Sequence, residues 1–129
     1  RLWHGTKASN LLSILKRGLV IPPERSGHVT GRLYGDGLYF SDQSTKALQY
    51  AKGVAPGQAH GHQGRFFMFF ADVAMGKPYT PDYGGVRRVP RGYDSIFAKG
   101  GRSGVRNNEM IIFRTSQANL LYLVEFSDR

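Results

Sequence analysis

The sequence contains no cysteine, so no disulfide or thiolate metal site can brace it and thiol redox chemistry is excluded. That fits a reducing intracellular compartment, without separating cytoplasm from nucleus. Acidic residues are scarce, with 9 Asp and Glu against 18 Lys and Arg, and the +9 balance sets up a positive potential that favours anionic ligands. No apolar run approaches the roughly 20 residues needed to cross a bilayer. The opening Arg1-Leu2-Trp3 lacks the basic-then-apolar pattern of a secretory signal, so the chain reads as soluble, with no membrane partner. It starts on arginine, and the expectation is a segment of a longer protein. Common catalytic templates are missing too: there is no Walker phosphate loop, no His-Glu-x-x-His helix and no Gly-x-Ser-x-Gly elbow. Gly35-Asp36-Gly37 lacks the third glycine of a dinucleotide fingerprint and precedes a strand instead of following one, which excludes a Rossmann unit.

What is present suits one compact domain over residues 1–129, because 40% hydrophobic residues and 12% aromatics can build an apolar core. Leu2 to Thr6 reads as a short strand ending in a turn. From Ser9 to Arg17 the residues Leu11, Leu12, Ile14 and Leu15 recur at helical spacing, Lys16 and Arg17 suit the helix C-terminus, and Gly18 suits a left-handed cap. Leu19 to Asp36 is a long loop, of the kind that often binds ligands. Gly37 to Phe40 reads as a strand, and Ser41-Asp42 offers oxygen caps for a helix from Ser44 to Ala51. Arg65 to Met75 is the strongest strand signal and suggests burial on both faces. Gly76 to Gly92 is loop-like. Ser95 to Ala98 is a short strand, and Lys99 to Asn108 a basic loop. The strands Glu109 to Arg114 and Leu120 to Phe126 follow, joined by Thr115-Ser116-Gln117 in an arrangement read as antiparallel. Two early helices followed by strands predict an α+β domain with a mostly sheet core.

His60 and His62, two residues apart in a glycine-rich loop, have no partner ligands nearby and read as a solvated loop, since a stable zinc site needs three or four protein ligands. Arg87, Arg88, Arg91, Lys99, Arg102 and Arg106 form a basic group that suits nucleic acid or simply a solvated face. It lacks the interleaved aromatics of a single-strand stacking platform. Taken singly, His4 is an ordinary sheet histidine, Tyr39 a packed strand aromatic and Glu109 a charged strand start. Their contexts are Leu-Trp-His-Gly-Thr, Gly-Asp-Gly-Leu-Tyr-Phe-Ser-Asp and Asn-Glu-Met-Ile-Ile-Phe, in that order.

Together these motifs resemble the catalytic domain of the poly(ADP-ribose) polymerases, in which a histidine, a tyrosine and a glutamate on three strands surround NAD+. The resemblance extends to Asn10, Val29-Thr30-Gly31, Ser44-Thr45-Lys46 and Tyr50. It implies the ADP-ribosyltransferase fold, with mixed, mostly antiparallel sheets and two early helices. It implies His4 holding a ribose hydroxyl, Gly5 clamping the nicotinamide carboxamide through its backbone, Thr6 near the adenosine ribose, and Tyr39 and Tyr50 walling the nicotinamide ring. Asn10, Phe40, Lys46 and Ala47 complete the expected NAD+ contacts, and residues 19–36 become a loop covering the dinucleotide. Glu109 becomes the catalytic carboxylate, with His4 and Tyr39 beside it.

The implied activity cleaves NAD+, a substrate and not a resident cofactor, and passes ADP-ribose to a macromolecular acceptor, protein first and possible polymer included. No metal is expected. Alternatives from the same residues are a silent NAD+ or ADP-ribose binding module, and transfer to nucleic acid through the basic loops. One departure stands out: Ala47 follows Lys46 where the family has a serine that donates to the carboxamide, so one ligand hydrogen bond is missing. The loop before Glu109 is also shorter than the acceptor loop of many polymerases.

Overall fold

A computed structural model of the chain describes residues 1–21, 33–52, 65–83 and 86–127, excluding the side chains of residues 49, 50 and 52. The Val29-Thr30-Gly31 stretch, the His60 and His62 pair and the Tyr50 side chain lie outside the described residues.

The fold is α+β. Its strands are β1 (Leu2–Gly5), β2 (Leu38–Phe40), β3 (Arg65–Val73), β4 (Pro78–Tyr79), β5 (Ser95–Ala98), β6 (Glu109–Ile112) and β7 (Ala118–Ser127), and its helices are α1 (Leu11–Arg17) and α2 (Ser44–Lys52). Two sheets form, in the orders β1-β3-β7 and β2-β6-β5-β4. Every pairing is antiparallel except that of β4 with β5.

Alternation along the strands explains the packing. Leu38 and Phe40 of β2, with Met110 and Ile112 of β6, face Ala71 of β3 and form the core between the sheets. The opposite face of the second sheet carries Ile96, Ala98 and Ile111, and Tyr34 packs onto it. The outer face of the first sheet carries Met68, which α2 covers with Ala47 and Ala51. The middle of β3 is therefore buried from both sides, as its unbroken apolar run predicts.

Several expectations change. The first helix opens with a 3-10 turn over Ala8–Asn10 before α1. Gly18 caps α1 at φ 77° and donates its N–H to the Ile14 carbonyl at 2.7 Å, but its ψ of −175° is not the left-handed helical value. Strand β4 falls where the sequence predicts loop, because two residues beginning with proline carry almost no strand signal. The final two strands do not form a hairpin. Both edges of β6 are taken, by β2 and β5, so the 3-10 turn Thr115–Gln117 carries the chain across to the other sheet, where β7 pairs with β3. Both ends of the long loop belong to the core: Leu19 is buried between the sheets and Tyr34 has no exposed surface.

Candidate active site

Among the described residues an isolated bridge joins the two sheets. Trp3 donates its N–H to the Ser41 carbonyl at 2.8 Å, and Ser41 returns its own to the Trp3 carbonyl at 2.9 Å. Trp3 belongs to β1 and Ser41 directly follows β2, so the bridge brings the end of the histidine strand to the end of the tyrosine strand. The β2–β6 register of Leu38 to Ile112, Tyr39 to Ile111 and Phe40 to Met110, continued one step, sets Ser41 opposite Glu109. One short stretch of backbone thereby gathers His4, Tyr39 and Glu109.

His4 is half-buried, and its Nδ1 lies 2.8 Å from the Tyr39 carbonyl. A carbonyl only accepts, so Nδ1 carries the proton and, in the neutral ring, Nε2 holds a free lone pair. Burial lowers the His4 pKa below the usual 6.5, and the bond to Tyr39 offsets part of that. Behind His4 stands Phe40, with ring centroids 5.2 Å apart. Phe40 is itself 2% exposed and points into the core between the sheets, so its side chain supports the histidine instead of lining the site.

Tyr39 lies on the other face of β2, the face that Ile111 and Glu109 share by alternation along β6. Its hydroxyl donates to the Gly35 carbonyl at 2.8 Å and accepts the Tyr34 N–H at 3.0 Å, which fixes the ring. The two glycines before it allow close packing. A Cβ on Gly35, at φ +84°, would strike the Arg87 carbonyl, and one on Gly37 would sit 2.5 Å from Ile111 Cγ2.

Glu109 opens β6 and is only 4% exposed. Lys46, one turn into α2, places its Nζ 3.7 Å from Glu109 Oε1. A buried carboxylate without a compensating charge is expensive, so this ammonium offsets part of the cost of burying Glu109. Asn108 clamps the neighbourhood: its Nδ2 donates to Asp42 at 3.0 Å and its Oδ1 accepts the Gly100 N–H at 2.9 Å. Asp42 thus accepts from Asn108, and Ser41 Oγ accepts the Gln43 N–H at 3.0 Å in the turn before α2.

Of the remaining expected contacts, Gly5 pairs with Met68 and Thr6 is buried just beyond it. Ala47 is 1% exposed and packs with Ala51 and Met68. Asn10 is exposed at the entrance of α1 and makes no side-chain cap. Asn108 stands in the Asn-Glu-Met motif without a role of its own there, and the buried Tyr34 is not singled out in the sequence, because a single loop Tyr carries no pattern. Among the described residues no helix is long and apolar enough to cross a membrane.

The sequence profile of the poly(ADP-ribose) polymerase catalytic domain matches residues 1–103, and so takes in His4 and Tyr39 but stops short of Glu109. A poly(ADP-ribose) polymerase-like protein, 100L of Invertebrate iridescent virus 6, is 30% identical over 98% of this chain and 70% of its own length. Protein mono-ADP-ribosyltransferase PARP3 of Gallus gallus is 39% identical over 77% of the chain, and PARP4 of Mus musculus is 29% identical over 97% of it. The matched region spans 17% of that PARP3 and 7% of that PARP4. Profile, relatives and the α+β fold agree: the chain belongs to the poly(ADP-ribose) polymerase catalytic domain family, the NAD+ ADP-ribosyltransferases.

Proposed function

We propose that this chain cleaves NAD+ at the nicotinamide–ribose bond and transfers the ADP-ribose to a macromolecular acceptor, protein in the first place. The observation that carries the reading is Glu109: a buried carboxylate held beside Lys46, on the sheet face that Tyr39 shares. Bond breaking leaves positive charge on the ribose as the electron pair departs with nicotinamide. A fixed carboxylate that accepts from the ribose 2'-hydroxyl stabilises that charge more than it stabilises bound NAD+. The acceptor then bonds to C1' and gives up its proton.

The other residues hold the substrate. His4, with Nδ1–H given to Tyr39, offers Nε2 as acceptor to a ribose hydroxyl. Gly5 contributes backbone to the carboxamide, and Thr6 and Asn10 face the adenosine side. Tyr39 and Tyr50 flank the flat nicotinamide ring. Lys46 orients Glu109, and Ala47 leaves the carboxamide one donor short.

The deciding experiment supplies NAD+ labelled on its adenylate and follows both nicotinamide release and label on protein, for the native chain and Glu109→Gln. Glutamate-dependent label on protein supports the transferase, with ladders indicating polymer. Binding of NAD+ without turnover makes the chain a silent binding module instead.

A further inference from the structure

Tyr34 has no exposed surface, yet it carries a hydroxyl into a cluster of Ile96, Ala98 and Ile111. A phenyl ring would fill that space equally well, and a buried hydroxyl is costly unless a partner meets it. The partner is the backbone carbonyl of Ser103, to which the Tyr34 hydroxyl donates. Ser103 is equally buried. Its Oγ donates to the Pro81 carbonyl and accepts the Lys99 N–H at 3.0 Å.

The same residue also reaches the tyrosine of the site. The Tyr34 N–H donates to the Tyr39 hydroxyl at 3.0 Å. One buried side chain therefore joins the turn before β2 to the loop of residues 99–108, which runs directly into Glu109. That loop is closed on itself by the Ser103 N–H on the Lys99 carbonyl and the Gly101 N–H on the Val105 carbonyl, both at 2.9 Å. It turns Lys99, Arg102 and Arg106 outward, so a macromolecule approaching Glu109 from this side meets it first. Burial raises the Tyr34 pKa above its usual 10.0; the bond to Ser103 works against that and the Glu109 charge adds to it. The hydroxyl accordingly remains a donor at neutral pH.

We propose that Tyr34 is a positioning residue for the acceptor: its hydroxyl fastens the basic loop beside Glu109, and the loop's placement decides whether a macromolecule or water takes the ribose. The inference rests on the transferase reading. In both outcomes the C1'–N bond breaks with its electron pair leaving on nicotinamide. The new bond to C1' comes from the acceptor's nucleophilic atom or from water, and the proton goes to solvent.

The test measures nicotinamide release, free ADP-ribose and protein-bound label from the native chain, Tyr34→Phe and Ser103→Ala, with acidic casein and basic histone as acceptor proteins. Thermal unfolding is followed in parallel. In both variants nicotinamide release should persist while the protein-bound share of product falls, on the order of tenfold, in favour of free ADP-ribose, as expected when a reacting partner is misplaced. An unchanged share, or loss of both products in proportion, would overturn the proposal. So would failure of both variants to fold, which would make the pair a folding element only. Absence of glutamate-dependent turnover in the native chain is a separate result, which removes the transferase reading and this inference with it.

Discussion

The Lys46 ammonium stands 3.7 Å from Glu109 Oε1, and the carboxylate it meets is 6% exposed while the lysine keeps 20% of its side chain in water. The lysine can trade partners with solvent and the glutamate cannot, so their removal has unequal consequences. Glu109→Gln keeps the shape and removes the charge. Nicotinamide release should fall on the order of a hundredfold or more, matching about 3 to 4 kcal/mol of lost transition-state stabilisation. NAD+ affinity, read by calorimetry, should change far less. Lys46→Met should instead lower folding stability by about 1 to 3 kcal/mol, because it strips a cation from a buried carboxylate.

His4 sets an acid limit. Its folded pKa lies below the unfolded 6.5, so at moderately low pH the unfolded chain binds the extra proton and the folded one resists it. This contribution to stability is complete above pH 6.5 and is lost as pH falls from there through the lowered pKa. Urea midpoints taken between pH 8 and 5 should decline below roughly 6.5, and His4→Gln should flatten that part of the curve. Protonated Nε2 becomes a donor, so NAD+ affinity should weaken over the same interval.

Two glycines with similar φ should respond differently to alanine. Gly18 at φ +77° has open space around a built Cβ, whereas Gly35 at φ +84° would meet the Arg87 carbonyl. Gly18, at φ 77° and ψ −175°, holds a backbone conformation essentially confined to glycine, so Gly18→Ala should cost about 1 to 3 kcal/mol from backbone strain alone. Gly35→Ala adds a steric clash with backbone and should cost more than about 3 kcal/mol. Denaturant titration of the two variants checks the order, and equal losses would contradict it.

Ala47 offers a gain. Replacing it with serine adds a hydroxyl at the position where the family supplies a donor to the carboxamide, on a helix where that hydroxyl can otherwise bond to the preceding turn. NAD+ should bind roughly three- to tenfold more tightly to Ala47→Ser, the worth of about one hydrogen bond. Because Ala47 is packed against Ala51 and Met68, unfolding temperature should be measured alongside. Unchanged affinity in a folded variant would place the carboxamide elsewhere.

Periodicity made the helices and the long strands legible. The Ser9–Arg17 and Ser44–Ala51 readings fell close to α1 and α2, and the apolar run from Arg65 became the central strand β3. What stayed hidden depends on which edges are already occupied. A three-residue link suggests a hairpin, and nothing local reveals that β6 already has a neighbour on each side. The motifs located His4, Tyr39 and Glu109, but not the direction each side chain takes. Phe40 sits beside Tyr39 in sequence and turns to the opposite face of β2, into the core. Tyr34 reads as part of the long loop from Leu19 to Asp36, because its partner Ser103 is 69 residues away.

The Trp3–Ser41 bridge, with the His4 bond to the Tyr39 carbonyl beside it, forms a seam that ties the end of β1 to the end of β2. Loops around such a wedge can be lengthened, shortened or exchanged over generations without shifting its apex. A lesion at the seam, such as Ser41→Pro, removes the N–H given to the Trp3 carbonyl and should displace His4, Tyr39 and Glu109 together without altering any of their side chains.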